Sequence, residues 1–387
     1  GYESLLADTH GGLFIVDEVH AYEPKRLAMI SSFIQYLAQH YQASFCVLSA
    51  TMPPVVREQL EKSLPNCTNV QATESVYQQF RRHRLRLIDG DLRTPEGIAR
   101  VANAARTGQS VLVCCNTVRR AQDTFDELSR LLGSTSQVLQ LLHGGFNARD
   151  RLAKEQLVLQ AADASRPGEP VVLVATQVVE VSLDVSFTTI FSDPAPLEAL
   201  LQRFGRVNRR PSGLVADVHV FRQPDGGHGI YDKTMMQSTL AALEQHDGET
   251  IDEGSIDNWL KKVYTEEIEA VWKKDFEEAE HVFRLSCLDS LRPFASSDEL
   301  EDLFYAAFDA IDVLPKSLEP EYEALTADNP IEADQLLVSI RHLQYGRLLN
   351  QGRVQRRPAT EHWPPVIDAP YDSSLGLRLN AAFGEQA

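Results

Sequence analysis

The chain has 387 residues, 43% hydrophobic and 24% charged, with a formal net charge of −18 at pH 7. That length exceeds the usual single domain, so two or three units with separate cores are expected. No apolar run approaches the roughly 18 to 20 residues that span a bilayer, so a soluble protein with no membrane partner is expected, and five scattered cysteines without a CxxC pair point to a reducing cytoplasm rather than structural zinc.

From residue 12 to about 222, short β-branched runs alternate with amphipathic stretches, the pattern of a parallel sheet covered by helices. The first strand, Leu13–Val16, runs into Asp17-Glu18-Val19-His20. A helical pattern follows over 25–41, then a strand over Phe45–Leu48 that ends in Ser49-Ala50-Thr51-Met52-Pro53, then a helix over 54–63. The polar stretch Pro65–Gln79 reads as irregular and sets a boundary, with residues 1–80 forming the C-terminal part of one α/β lobe and 81–222 a complete second one. In that second lobe the strands are Leu85–Ile88, Val111–Cys115, Val138–Leu142, Val171–Ala175, Thr188–Phe191 and Val215–Val220. Helical patterns cover 95–106, 118–132, 147–161 and 196–207.

After Phe221 the composition changes. Gln223 to Gly229 reads as a flexible connection, and 223–387 as a linker plus a mostly helical accessory region, with patterns near 235–246, 256–284, 298–310 and 331–349. From about Arg353 the chain is rich in Pro and polar groups and reads as loosely ordered. Acidity is concentrated here: residues 244–334 hold 26 Asp and Glu against 7 Lys and Arg, which leaves +1 for all the rest. Arginine clusters lie at 81–86, 203–210 and 353–357. A local basic groove binds phosphates whatever the net charge, so the total neither supports nor excludes a nucleic-acid partner.

A carboxylate at the C-terminal end of a parallel strand points into the crevice where such sheets bind ligands. In phosphate-hydrolysing folds one acid holds hydrated Mg²⁺ and a second orients and deprotonates the attacking water. Asp17 and Glu18 fit these roles, although an Asp-Glu pair alone is more often a solvated loop. Ser49 and Thr51, at the end of the next strand, can bridge the acid loop to another part of the protein. In Gln202-Arg203-Phe204-Gly205-Arg206-Val207-Asn208-Arg209-Arg210, Arg206 and Arg209 are three apart and, on a helix, face the same way. Guanidinium forks onto phosphate oxygens, and an arginine finger on a γ-phosphate is worth about 10³ to 10⁵ in rate. A basic solvated face explains the charge but not the glycine between the arginines.

In order and separation, these three segments resemble motifs II, III and VI of superfamily-two helicases. DEVHAYEP, LSATMPP, VATQVVEVSLDVSF and QRFGRVNRR together resemble the CRISPR-associated DEVH-box helicase of type I systems, a translocase usually joined to an HD nuclease. The resemblance covers about residues 12–222, with a weaker likeness at Asp312–Leu318. It implies an α/β fold with a partial first and a complete second RecA-like lobe, ATP and Mg²⁺ as cofactors, single-stranded DNA as track, an RNA-guided surveillance complex as recruiter, and a prokaryotic cytoplasm. It further implies that Asp17 and Glu18 face Mg²⁺, with Glu18 as general base, and that His20 couples the ATP site to motif VI. Ser49 and Thr51 would link hydrolysis to lobe movement, and Asp184 would sit near the nucleotide or the lobe interface. Gln202, Gly205, Arg206 and Arg209 would close on the phosphates. Thr176 would touch a backbone phosphate, and the motif IV-like Cys115 to Arg120 makes Thr117 and Arg119 strand contacts. His143 and Arg151 match the segment that follows, where a strand-end histidine packed in a turn is an equal alternative.

Two departures qualify the likeness. The Gly-rich phosphate loop GxxxxGK[ST] is absent, because the sequence contains no Gly-Lys dipeptide. The sole His-Asp dipeptide, His246-Asp247, lies in an acidic helical segment and reads as surface. The phosphate loop and nuclease are therefore expected outside this chain, and the first lobe is expected to be completed by preceding residues or another polypeptide. An RNA-remodelling DExH helicase and a non-catalytic docking module are the rival readings. Intact Asp17, Glu18, Arg206 and Arg209 argue against the second.

Overall fold

The computed structural model describes residues 2–64, 66–133, 138–161, 170–182, 184–209, 213–223, 230–289, 310–356 and 363–383. Its first region comprises α1 (Tyr2–Asp8), β1 (Leu13–Val16), α2 (Pro24–Tyr41), β2 (Ser44–Val47), α3 (Pro54–Ser63) and α4 (Glu74–Gln79). Proline opens both α2 and α3 at the first helical position, where its missing N–H is no loss. The short α4 occupies the end of the stretch expected to be irregular, and Thr73 precedes it in extended conformation.

β1 and β2 pair in parallel, from Leu13 opposite Ser44 to Val16 opposite Val47, as a sheet of only two strands. One face is covered. Val19, Leu27, Val55 and Val56 form a core there with Trp272 and Phe276, which arrive from far along the chain on the helix Glu266–Phe283. The other face stands open, with Leu13 70% and Ile15 67% exposed.

The second region holds β3 (His83–Ile88), α5 (Pro95–Arg106), β4 (Val111–Cys114), α6 (Val118–Leu132), β5 (Val138–Leu142), α7 (Ala148–Ala161), β6 (Val171–Ala175), α8 (Val178–Ser182), β7 (Thr189–Ser192), α9 (Leu197–Phe204) and β8 (Ala216–Phe221). Its six strands, all parallel, run in the order β3-β8-β7-β4-β6-β5. β4, β6 and β7 are buried at every residue, as strands covered on both faces must be, which explains the unbroken apolar sequences of β4 and β6. Across the strand ends Arg120 lies between Asp193, at 2.8 Å, and Asp91, at 3.0 Å, all three buried.

Beyond the sheet come α10 (Lys233–Glu244), α11 (Ile256–Val263), α12 (Glu266–Phe283), β9 (Ile311–Pro315), α13 (Glu319–Asp328), α14 (Pro330–Asp334), β10 (Val338–Ile340), α15 (His342–Asn350), β11 (Val354–Gln355), β12 (Val366–Ile367), β13 (Tyr371–Asp372), β14 (Gly376–Leu377) and α16 (Leu379–Phe383). The single helix expected over 256–284 is two helices, because Thr265 stops one and caps the next by accepting from the Ile268 N–H. The helix expected over 331–349 is interrupted by β10. That strand belongs to a four-stranded sheet, β10-β9-β12-β11, that no periodicity in the sequence announces. The helix expected over 298–310 lies outside the described residues apart from residue 310.

The segment after Arg353 is not loose where it is described. β13 and β14 form an antiparallel hairpin that seats on the second region. Leu377 N–H donates to the Gly145 carbonyl at 2.9 Å, and the Gln122 amide donates to the Leu375 carbonyl at 2.7 Å. At Gly376, with φ +68, a Cβ would lie 2.8 Å from the His143 ring, so only glycine permits this approach. Among the described residues no helix is long and apolar enough to cross a membrane.

Candidate active site

Asp17 and Glu18 follow directly on β1. The Glu18 N–H donates to Asp17 Oδ1 at 2.8 Å, and Glu18 is left in the left-handed region, φ 53 and ψ 40, which a non-glycine residue seldom adopts. This kink turns the Glu18 side chain toward the cleft between the two regions. Burial, and then repulsion from Asp17, raise its pKa above the ordinary glutamate value against the pull of Arg206. The carboxylate is thus biased toward accepting a proton.

His20 sits one turn on, its side chain 2% exposed. Its Nδ1 lies 2.6 Å from Ser49 Oγ and 3.4 Å from Glu18 Oε2, while its Nε2 meets the Gln202 amide nitrogen in close contact. Ser49 Oγ in turn donates to the Thr51 carbonyl at 2.6 Å. With Gln202 as donor, the histidine carries its proton on Nδ1 and passes a hydrogen bond to Ser49, one directional chain from α9 to the end of β2. Burial lowers the His20 pKa, with Asp17 opposing, which favours the neutral ring that this chain requires.

Arg206 and Arg209 do not extend the helix. α9 ends at Phe204, Gly205 closes it with a bond to the Leu201 carbonyl, and the two arginines ride on the loop beyond. That loop is pinned from both sides. Phe187 N–H donates to the Arg206 carbonyl and Asn208 N–H to the Phe187 carbonyl, both at 2.9 Å. From the opposite side, Arg82 Nη1 donates to the Arg209 carbonyl at 2.8 Å, and His83 Nε2 lies 2.7 Å from the Val207 carbonyl. Arg206 Nη2 bonds the Glu180 carbonyl, and Arg209 Nε pairs with Asp184 at 2.9 Å.

Glu18, Thr51, Gln202, Gly205, Arg206 and Arg209 thereby line one cleft of about 440 Å³. Two oxygens in it, Glu18 Oε2 and Thr51 Oγ1, are buried without a hydrogen-bond partner. Among the described residues no group of three or more His, Cys, Asp or Glu side chains could cage a metal. The donor set fits Mg²⁺, which binds through one or two carboxylates while phosphate and water oxygens complete its shell.

The remaining expected residues lie elsewhere. Thr117 Oγ1 accepts from the Arg120 N–H at 3.1 Å and caps α6, Arg119 pairs with Asp123 at 3.9 Å, and Arg151 pairs with Glu155 at 2.9 Å. Thr176, at the end of β6, is only 4% exposed. His143 needs correction as a strand contact. It is fully buried, accepts from the Gly145 N–H at 3.0 Å, holds the Leu375 carbonyl at 3.0 Å through its other nitrogen, and stacks on Phe146. His246 and Asp247 are likewise structural, the ring stacking on Trp259 and the carboxylate accepting from the Leu87 N–H.

Sequence reasoning passed over Arg203, which is entirely buried and bonds Glu180, Asn116 and Ser192. A signal existed: Arg203 falls on the same helical face as Leu200 and next to Phe204, both core residues.

Two α/β units, with strand-end acids on one facing loop-borne arginines on the other, have the arrangement of RecA-like lobes. Comparison with known proteins narrows this class. Residues 107–212 match a family model described as CRISPR-associated nuclease/helicase Cas3, C-terminal. The CRISPR-associated endonuclease/helicase Cas3 of Escherichia coli K12 is 30% identical over 295 residues, 65% of this chain and 32% of its own length. The CRISPR-associated nuclease/helicase Cas3 of Methanothermobacter thermautotrophicus is 23% identical over 289 residues, 71% of this chain and 34% of its own. The crystal structure of T. fusca Cas3 with AMPPNP has the same fold, with a TM-score of 0.71 at 18% identity, covering 94% of this chain and 53% of that one. A chain from a CRISPR RNA-guided surveillance complex, pre-nicking, gives 0.63 at 18%, covering 94% and 56%. In sequence over part of its length, and in fold, this chain is similar to the C-terminal portion of the CRISPR-associated Cas3 proteins. It spans about a third of the length of these two curated relatives.

Proposed function

We propose that this chain is the ATP-hydrolysing motor portion of a CRISPR type I DNA helicase, acting on single-stranded DNA opened by an RNA-guided complex. One observation carries the reading: His20 bridges Ser49 on the acid side of the cleft and Gln202 on the arginine side, so that Glu18 and Arg206 face one cavity. Glu18, biased toward protonation, accepts the proton of an attacking water, and Arg206 with Arg209 meets the negative charge that spreads over the phosphoryl oxygens. Asp17 and Glu18 would hold Mg²⁺, which when bound would supply charge neutralisation at the phosphates. His20, Ser49 and Gln202 transmit lobe closure, because that hydrogen-bonded chain forms only while the two regions meet. Arg119, Arg151 and Thr117, at the helix starts of the second region, are the DNA-contacting candidates, with Thr176 at the end of β6.

The bare face of β1 and β2 receives a segment carrying the phosphate loop, which this sequence lacks. The fold seen within a surveillance-complex assembly supports an RNA-guided recruiter. A fluorescent ATP analogue titrated against this chain should bind weakly, and tightly once the upstream phosphate-loop segment is joined, with turnover then stimulated by single-stranded DNA. Tight Mg²⁺-dependent binding by this chain alone, or turnover indifferent to DNA after completion, would sink the reading.

A further inference from the structure

Arg203 and Arg206 are one helical turn apart in sequence, yet only one reaches the cleft. The guanidinium of Arg203 is saturated inside its own region. Nε donates to Glu180 Oε1 at 2.8 Å, Nη1 to Ser192 Oγ at 2.9 Å, and Nη2 to Asn116 Oδ1 and the Tyr231 hydroxyl, both at 3.3 Å. With the residue fully buried, none of this charge is available to a ligand. Its carboxylate partner has a second task. The main-chain carbonyl of Glu180 accepts from Arg206 Nη2, and Glu180 itself lines the cleft. Glu180 lies on α8, a helix of five residues too short to satisfy its own carbonyls, so that acceptor is open to an outside donor.

So short a helix also has little internal rigidity, and what locates it is external: Val179, buried in the sheet core, and the ion pair of Glu180 with Arg203. We propose that Glu180 is a positioning residue for Arg206: its carboxylate, locked to buried Arg203, fixes α8, and its carbonyl then fixes where the Arg206 guanidinium points. This rests on the reading of Arg206 as phosphate-facing. The geometry gives the consequence its size, since a displacement of about 1 Å in a charge-stabilising group costs on the order of 100-fold in rate. α8 follows Thr176 and Gln177, and the Gln177 amide donates to the Asn116 carbonyl at 3.0 Å. The same short helix therefore joins the DNA-contacting candidates to the arginine loop.

A double-mutant cycle on the enzyme completed with its phosphate-loop segment tests this. Glu180→Gln keeps the carbonyl and the side-chain shape but loses the charge that holds Arg203. It should lower kcat for ATP at least about tenfold while KM stays within about twofold. Added to Arg206→Ala, it should lower kcat no further, because the residue it positions is gone. Independent losses that multiply, or an unchanged kcat in Glu180→Gln, overturn the proposal. Should Arg206→Ala itself leave kcat unchanged, the phosphate-facing reading fails first and takes this inference with it. A buried arginine without its carboxylate is destabilising, so Glu180→Gln paired with Arg203→Gln, checked for a native melt, gives the same comparison without an uncompensated charge. That pair should also lose kcat, and wild-type turnover in it would likewise overturn the proposal.

Discussion

The two α/β regions of this chain differ in how they are closed. The six-stranded sheet is closed on both faces, its middle strands buried at every position and its core extended by Leu243, Trp259, Leu260 and Val263 of α10 and α11. The two-stranded sheet is not. It shows Leu13 and Ile15 to solvent on one face and, on the other, relies on Trp272 and Phe276 from a helix more than 200 residues later. Yet the acids sit on the open unit and the arginines on the closed one. Under the proposed motor function this division is useful, since a rigid unit would present charge with fixed aim while the other unit would receive further segments. The buried Arg120 with Asp91 and Asp193 belongs to the rigid side. Such a pair contributes little net stability but is expensive to break, and it holds strand ends in register.

The contrast can be broken in order of expected effect. Glu18→Gln should abolish ATP turnover in the completed enzyme while nucleotide binding persists, because the amide keeps size and hydrogen bonding but accepts no proton. Single-turnover assays with a normal kcat would remove Glu18 as the base. Arg206→Ala should cost about a hundredfold or more in kcat, whereas Arg149→Ala, which removes an exposed pair with Glu321, should leave kcat unchanged. Equal small effects would assign both to a solvated face.

Trp272→Ala is expected to cost about 3 to 5 kcal/mol, the usual penalty for deleting a buried aromatic. Hydrogen exchange should localise that loss to β1, β2 and α2 and leave β4 and β6 protected. Uniform loss over both sheets would show that the regions unfold as one.

A pH titration sharpens the comparison further. Burial pushes His83 and His143, both in the closed unit, down to about 4. Each is neutral when folded and protonates near 6.5 when unfolded, so the unfolded state binds more protons between those values. Their stability contribution is complete above about pH 6.5 and falls as pH drops toward 4, by about 1.4 kcal/mol per pH unit and site. Thermal melts followed by a probe in the six-stranded unit should show this slope, and His83→Gln, whose amide can still donate to the Val207 carbonyl, should reduce it. A flat profile would mean that both rings take up a proton in the fold as readily as in the unfolded chain. The smallest effect is on stability in Arg149→Ala, below about 1 kcal/mol, since an exposed pair is screened by water and salt.

Much was legible in the residues themselves. The strand bounds at Leu13–Val16, Val138–Leu142 and Val171–Ala175 follow from short, mainly apolar runs, a purely local property. Glu18 and Arg206 could be singled out because strand-end acids and glycine-flanked arginines are local patterns as well. What could not be read was which of several identical side chains goes inside. Arg203 and Arg206 have the same chemistry, and only the packing of α9 on the sheet buries the first while the loop beyond α9 brings the second to the cleft. His143 looked available because its cover, the Leu375 to Leu377 hairpin, comes more than 200 residues later. The same holds for α12, whose pattern declares an apolar face but not its partner α2. Periodicity along a chain states that a face must be buried, by the free energy of removing apolar surface from water. Which distant segment buries it depends on loop closure and shape fit across the whole molecule, and those exist only once the chain is folded.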